Sequence, residues 1–231
     1  MELLYRYGNL AIHEPCQGGI VTNMEVYLAP TYFIDFETPA VASTAQDLVK
    51  DASEDDLAGR ARCLFYFVRD HIPYKVLWGL PTRSYLRASS TLSRGYGFCI
   101  PKATLLAALG RAIGIPSRLH FADVINHLAS KNIQKAMGTN LFVFHGYTEF
   151  LIDGEWLKVN PAFDLALSEN KGYHPVEFDG HDDAVFQATD LLGNPHFEYA
   201  KDHGTFADVP YKQIVDAWNE AYGEMWKVTS A

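Results

Sequence analysis

Cys99 lies in the stretch of this sequence that is most suited to chemistry. It follows the glycine-marked run Gly95-Tyr-Gly-Phe and precedes apolar residues that recur at helical spacing as far as Ile113. Pro101 fits the first turn of a helix, because the N–H group that proline lacks needs no partner there. A cysteine at a helix N-terminus lies near unpaired N–H groups and the positive end of the helix dipole, which favour a nucleophilic thiolate. The alternative is a small buried apolar residue, as most free cysteines are.

A predicted β-hairpin carries the second group of candidate residues. Asp153-Gly154 is a strong signal for a two-residue turn, and alternating apolar residues flank it on both sides. This turn would place Glu149 opposite Lys158, which is a favourable pair of opposite charges. The same register predicts that one face of the hairpin is apolar and faces the core. That face comprises Phe142, Phe144, Phe150, Ile152, Leu157 and Val159.

The opposite face of the hairpin combines an imidazole with an amide. The register places Tyr147 opposite Asn160 and His145 opposite Ala162, so that His145 and Asn160 are diagonal neighbours. An amide oxygen can accept a hydrogen bond from one imidazole nitrogen, which leaves the other free to take a proton from a thiol. Asp164 has the same parity, and is an alternative third member, although a proline interrupts the ladder before it.

The composition limits the classes of partner. The chain has 231 residues, 48% hydrophobic and 20% charged, which is typical of a soluble globular protein. A net charge of -9 argues against nucleic acid as a partner. We expect no signal peptide and no membrane span. The three cysteines, Cys16, Cys63 and Cys99, form no disulfide framework and no zinc-ligand pattern, so a cytoplasmic protein is expected.

The remaining pattern predicts the elements that position these residues. Residues 1–38 alternate with period two and predict strands, whereas 39–50 show a soft helical pattern. A better helix follows, with Ser53 as its N-cap and Pro73 at its end. Residues 74–94 have no clean period and predict a loop.

Beyond Cys99, Gly114 is placed to end the helix in a left-handed conformation. A strand is predicted from Arg118, a short helix or connector over 124–138, and an amphipathic helix from about Tyr211 that packs on the core. The acidic loop Asp179–Asp183, with the histidines near it, lacks the ligand spacing of a zinc site and predicts a solvated loop.

Taken in order, the motifs resemble those of the transglutaminase-like superfamily, which has the papain-like cysteine-protease fold. The similarity runs from about residue 26 to 164, and the tail 165–231 resembles that of bacterial members. It implies an α+β fold, with N-terminal helices and the cysteine-bearing helix packed on an antiparallel sheet, in one domain over 1–231. The matching segments are Val68-Arg-Asp-His-Ile-Pro-Tyr74, Leu92-Ser-Arg-Gly-Tyr-Gly-Phe-Cys99, Gly114-Ile-Pro-Ser-Arg118, His145 and Gly154-Glu-Trp-Leu-Lys-Val-Asn-Pro161.

The resemblance implies a role for each residue of a triad. Cys99 would be the nucleophile, His145 the general base and acid, and the residue at position 160 the group that orients His145. The sequence departs from the family's pattern twice: Asn160 replaces the usual aspartate, and Tyr147 replaces a tryptophan that often follows the histidine. A neutral amide stabilises an imidazolium less than a carboxylate does. Tyr74, Trp78 and Tyr96 are the candidate side-chain donors to an oxyanion, and Tyr147 is a further candidate contact to the oxyanion or the substrate.

These residues predict a thiol-dependent hydrolase that cleaves amide or peptide bonds through a thioester. The expected substrate is a peptide, a protein or a small amide, with no cofactor or metal. Two alternatives remain, namely acyl transfer to an amine by the same triad and a non-catalytic binding module that keeps the fold.

Overall fold

The computed structural model describes residues 24–223. Within this range the chain forms seven α-helices and four β-strands, and the central helix, α4, begins at Cys99. The helices are α1 (Pro39–Val49), α2 (Leu57–His71), α3 (Ala88–Arg94), α4 (Cys99–Ala112), α5 (Lys131–Met137), α6 (Leu165–Lys171) and α7 (Tyr211–Tyr222). The strands are β1 (Ser117–Asn126), β2 (Leu141–Ile152), β3 (Glu155–Val159) and β4 (Phe197–Phe206), and Met24–Tyr27 and Ser84–Leu86 are short 3-10 helices.

The four strands form one antiparallel sheet in the order β3-β2-β1-β4. Helix α4 packs on this sheet, and the hydroxyl of Thr148 on β2 donates to the carbonyl of Ala103 at 2.8 Å. Gly110 permits this close approach, because a Cβ there would lie 2.5 Å from the ring of Phe150. The mixed helices and antiparallel sheet confirm the predicted α+β fold.

Helix α4 is the centre of the core. All of its residues from Ile100 to Arg111 are buried, and α1, α2 and α3 pack around the side that does not face the sheet. A helix that is apolar nearly all round has to be enclosed in this way. The arginine of α4, Arg111, donates hydrogen bonds to the carbonyls of Ser117, Ala29 and Ala207 and so joins three segments.

The predicted hairpin has the predicted register. Glu149 pairs with Lys158 and Leu151 with Trp156 across the Asp153-Gly154 turn. The paired residues end at Thr148 and Val159, so the ladder does not extend to the expected pairs Tyr147–Asn160 and His145–Ala162. Past β3 the chain pairs elsewhere, since the N–H of Asn160 donates to the carbonyl of Ala184 at 2.8 Å.

Several local predictions were wrong. The strands expected over 1–38 are absent from 24–38, where alternating apolar residues turn tightly and the N–H of Thr31 donates to the carbonyl of Ile34. Residues 1–23 lie outside the described residues. Asp56, not Ser53, caps α2, because its carboxylate accepts the N–H of Gly59 at 2.7 Å. The stretch 74–94 contains α3, whose seven residues are too few to show a helical period.

The segment after residue 164 contributes a strand to the sheet. Strand β4 pairs along β1 at the edge of the sheet, and its exposed residues hide the alternation that would have predicted it. Helix α7 starts at Tyr211 as predicted and packs on β2. Between residues 24 and 223 no helix is both long enough and apolar enough to cross a bilayer.

Candidate active site

Cys99 begins α4 at the end of a fixed loop. The preceding residue, Phe98, has an extended backbone and no side-chain cap bonds to the helix N-terminus. Backbone hydrogen bonds from a neighbouring segment hold this loop in place. The N–H of Lys75 donates to the carbonyl of Gly97 at 2.9 Å, and the N–H of Gly97 donates to the carbonyl of Pro73 at 3.2 Å. These bonds bring the segment around Tyr74 alongside the start of α4.

Cys99 and His145 line one cavity of about 60 Å³. The cysteine comes from the start of α4 and the histidine from the middle of β2, so the sheet and the central helix together set their positions. The rest of the lining is mostly aromatic and aliphatic, and comprises Tyr74, Val76, Leu77, Phe98, Met137, Phe142, Val143, Phe144, Trp218 and Tyr222. A cysteine and a histidine therefore meet in an apolar environment.

A β-bulge lies directly before His145. Ala122 on β1 pairs with His145, but Val124 pairs with Phe142, so β2 contains one extra residue at this point. Phe144 takes up the irregularity with a φ of 56°, a left-handed conformation that is unfavourable for a bulky side chain. The bulge also explains why Phe142, expected on the core face, lines the cavity with His145 instead.

Asn160 makes the polar contact to His145. Its amide nitrogen lies 3.2 Å from Nε2 of His145, and both residues are buried. Its amide oxygen accepts the backbone N–H of Ala162 at 3.1 Å. This second bond orients the amide, because the oxygen has to face an N–H group, and so the NH₂ group faces the imidazole. In this orientation Nε2 of His145 is an acceptor, which leaves the proton of the neutral ring on Nδ1.

Asp164, the alternative third member, binds other groups. One carboxylate oxygen accepts the N–H of Leu167 at 2.9 Å and so caps α6. The other accepts the N–H of Tyr74 at 2.8 Å. Asp164 therefore holds the segment beside Cys99 in place, whereas Asn160 contacts His145.

Burial sets the protonation of both reactive groups. It raises the pKa of Cys99 to about 11, and the nearby N–H groups of Gly146, Ile100 and Cys99 itself offset only part of this effect. Burial also lowers the pKa of His145 to about 4, against a smaller opposing effect of Asn160. The resting pair is therefore a neutral thiol and a neutral imidazole. The thiolate expected at a helix N-terminus is not the resting form, because the apolar lining outweighs the N–H groups.

The remaining candidate donors lie at different places. Tyr74 lines the cavity with Cys99. Trp78 is 56% exposed and does not line this cavity. The Tyr96 ring lies under the ammonium of Lys75, 4.3 Å from ring centre to Nζ, and also does not line it. Tyr147 stacks on the ring of a neighbouring histidine, His120, at 4.7 Å.

Trp218 and Tyr222 of α7 also line the cavity, although the sequence indicated only that they pack on the core. Their spacing along an amphipathic helix places them on one buried face. Sequence spacing alone does not show which part of the core that face covers.

No group of three or more histidine, cysteine or acidic residues within 24–223 is arranged to hold a metal ion. In the acidic loop, the carboxylate of Asp179 accepts the N–H groups of His181 and Asp182 at 2.8 and 3.0 Å. The carboxylate thus stabilises a turn.

Lys102, one turn beyond Cys99 on α4, is a fully buried base. Its ammonium donates to the carbonyl of Arg69 at 3.0 Å. Burial lowers the pKa of Lys102 to about 7, although the carboxylates of Asp164 and Asp70 partly oppose the shift. Because its pKa in the folded protein is below the unfolded value of about 10.4, the unfolded state binds more protons between these values.

Lys102→Met is therefore expected to raise the free energy of unfolding by about 2 kcal/mol at pH 7, since it removes a buried cation. The gain should shrink towards pH 10, where the lysine of the unfolded chain also approaches neutrality and folding requires it to lose less of a proton. Urea denaturation at pH 7 and pH 9.5 measures both values. Lys50→Met, at an exposed position, is the control. If the difference in unfolding free energy between Lys102→Met and the unmutated protein did not change with pH, the lowered pKa of Lys102 would be contradicted.

This chain is similar to known proteins in sequence and in fold. The family model of the transglutaminase-like superfamily matches residues 42–161. A solved structure from Cytophaga hutchinsonii, described as a "putative cysteine protease", superposes with a TM-score of 0.52 at 16% identity, covering 84% of this chain and 50% of its own. A "putative protease" from Parabacteroides distasonis gives a TM-score of 0.38 at 14% identity, covering 59% of this chain and 26% of its own. No curated protein matches the sequence.

The Cytophaga structure supports the fold, and this chain spans about half of that protein's length. The family match covers the cysteine at the start of α4, the histidine on β2 and the asparagine after β3, and it ends one residue after Asn160. This chain therefore belongs to the transglutaminase-like superfamily.

Proposed function

We propose that this protein is a thiol-dependent hydrolase of amide or peptide bonds. Cys99 is the nucleophile, His145 is the general base and acid, and Asn160 orients His145. The observation that carries the proposal is the shared cavity, in which a cysteine at a helix N-terminus meets a histidine hydrogen-bonded to an asparagine. A nucleophile, a base and a group that orients the base are the components of acyl-transfer sites on many folds.

In the first step, Sγ of Cys99 attacks the carbonyl carbon of the substrate and its proton passes to Nδ1 of His145. Before this transfer the neutral imidazole has to change tautomer, with the proton on Nδ1 released and one taken up at Nε2, and the amide of Asn160 turns so that its oxygen accepts from Nε2–H. The carbonyl oxygen becomes an oxyanion, which accepts hydrogen bonds from the N–H of Cys99 and the hydroxyl of Tyr74. Burial raises the pKa of Tyr74 well above its usual value, so this hydroxyl keeps its proton.

In the second step, His145 donates its proton to the leaving nitrogen as the carbon–nitrogen bond breaks, which leaves a thioester on Cys99. His145 then removes a proton from water, and the hydroxide attacks the thioester carbonyl. The carbon–sulfur bond breaks, the thiolate regains a proton from His145, and a carboxylic acid is released.

The lining of the cavity favours an apolar group next to the scissile bond. Leu77, Met137 and Phe142 are among the side chains that would contact it. The substrate would then be a peptide, a protein or a small amide. Peptide-bond cleavage is compatible with the description of the Cytophaga protein as a protease. We also propose a cytoplasmic setting, which would keep the thiol of Cys99 reduced.

Acyl transfer to an amine is the second candidate. The apolar lining of the cavity limits access of water to the thioester, so an amine bound there could be the acceptor. Incorporation of a labelled amine at the expense of hydrolysis would favour it. A binding module without activity would be favoured instead if the folded protein turned over neither esters nor amides and formed no acyl group on Cys99.

Trapping of the thioester tests the proposal. A p-nitrophenyl ester of an apolar carboxylic acid should give a burst of nitrophenol, and mass spectrometry should find the acyl group on Cys99. Hydroxylamine should remove it. Cys63→Ser, which changes an exposed thiol, should leave the burst unchanged. Acylation that is absent, or equal on Cys63 and Cys99, would overturn the proposal.

A further inference from the structure

The bulge before His145 is held by side chains of α7. Val143 and Phe144 have no partner in the register between β2 and β1. The N–H of Val143 donates instead to the hydroxyl oxygen of Tyr222 at 2.6 Å, and its carbonyl accepts the indole N–H of Trp218 at 2.7 Å. Both backbone groups of Val143 thus bind residues that lie four apart on one face of the last described helix.

The second bulge residue is held by β1 and β4. The N–H of Phe144 donates to the carboxylate of Asp123 at 2.9 Å, and the same oxygen lies 2.6 Å from Nε2 of His203. The ring of His203 stacks on that of Phe144 with centres 3.9 Å apart. The left-handed conformation of Phe144 is costly by itself, so these contacts are needed to select it.

We propose that Trp218 and Tyr222 are positioning residues for His145, because their bonds to Val143 fix the bulge that aims the imidazole at the cavity. The proposal rests on the proposed function of His145. It assigns a role in the site to a helix that begins 50 residues after the end of the family match, at Tyr211.

Loss of either bond to Val143 would change the direction in which the imidazole of His145 points. A buried N–H or carbonyl without a partner favours any arrangement that pairs it again. For Val143 that arrangement is a regular ladder with β1, without the extra residue. Removing the extra residue turns the side chains on one side of the bulge relative to those on the other. Because His145 is the first paired residue after the bulge, the direction of its imidazole relative to Cys99 would then change.

Two conservative variants separate positioning from packing. Tyr222→Phe removes one hydroxyl, and Trp218→Phe removes the indole N–H while keeping an aromatic ring. Tyr211→Phe is the matched control, because this residue of α7 donates its hydroxyl to the carbonyl of Pro81, away from the bulge. We expect Trp218→Phe and Tyr222→Phe to lower kcat for ester hydrolysis at least about 10-fold with KM changed less than twofold. Tyr211→Phe should keep the unmutated kcat.

A second readout does not depend on turnover. The ring resonances of His145, followed by NMR against pH in each folded variant without substrate, should move in Trp218→Phe and Tyr222→Phe but stay in place in Tyr211→Phe. If all three variants gave the resonances and the pKa of the unmutated protein, the positioning role would be wrong. If the unmutated protein showed no turnover while the resonances moved as expected, the proposed function would fail and the positioning of His145 would stand.

Discussion

Cys99→Ala is expected to lower kcat/KM for ester and amide hydrolysis at least about 1,000-fold. The variant has no atom that can form the thioester, so the two-step route through a covalent intermediate is lost. The N–H of residue 99 and the hydroxyl of Tyr74 remain and can still stabilise an oxyanion. They would account for a small residual rate above that in water.

The measurement is turnover of a panel that comprises an activated ester, a peptide amide and a glutamine–amine pair. Cys63→Ala is the control, because its thiol is exposed on α2 and does not line the cavity. Denaturation curves verify that Cys99→Ala is folded. If Cys99→Ala were as active as the unmutated protein, Cys99 would not be the nucleophile.

The parts of the fold that the sequence predicted are those with strong local signals. Helix α4 has an apolar run, a proline in its first turn and Gly114 beyond its end, where φ is 83°. The hairpin has its Asp153-Gly154 turn, which fixes the register of β2 and β3 without any information about the rest of the chain. In both cases neighbours in sequence decide the structure.

The parts that the sequence did not predict depend on distant contacts. The bulge in β2 exists because α7 and β4 bind Val143 and Phe144, and no residue of β2 signals it. Strand β4 is an edge strand whose side chains are largely exposed, so it lacks an apolar stripe. The pKa of Cys99 follows the same rule, because the apolar groups that raise it come from several elements.

The candidate site itself was predicted in one respect and not in another. The hairpin register predicted that His145 and Asn160 are neighbours, and the structure places the amide nitrogen of Asn160 3.2 Å from Nε2 of His145. It could not predict which end of the amide faces the imidazole. That depends on the N–H of Ala162, which binds the amide oxygen after the chain has left β3.

Asn160→Asp is expected to accelerate alkylation of Cys99 by iodoacetamide about 100-fold at pH 7. A carboxylate has an oxygen at both positions of the amide, so it can accept the N–H of Ala162 and Nε2–H of His145 at the same time. Nδ1 of His145 is then free to take the proton of the thiol. The unmutated amide presents its NH₂ group to the imidazole and opposes this arrangement.

The size of the effect follows from the charge. An adjacent carboxylate favours the imidazolium and raises a histidine pKa by about 1 to 3 units. The pKa of His145 starts at about 4 and that of Cys99 at about 11, so the population of the thiolate–imidazolium pair rises tenfold for each unit by which the gap narrows. A rise of about 2 units gives the expected factor. Since the folded pKa rises towards the unfolded value, the destabilisation that His145 causes at acid pH should also diminish.

Two measurements on Asn160→Asp distinguish this effect from a general change in charge. The rate of alkylation reports the thiolate, and the NMR titration of His145 reports the imidazolium. Asn132→Asp makes the same change at an exposed position on α5 and should alter neither value. If Asn160→Asp left both values unchanged in a folded protein, Asn160 would not control His145. The orientation of its amide would then not explain why the resting pair is neutral.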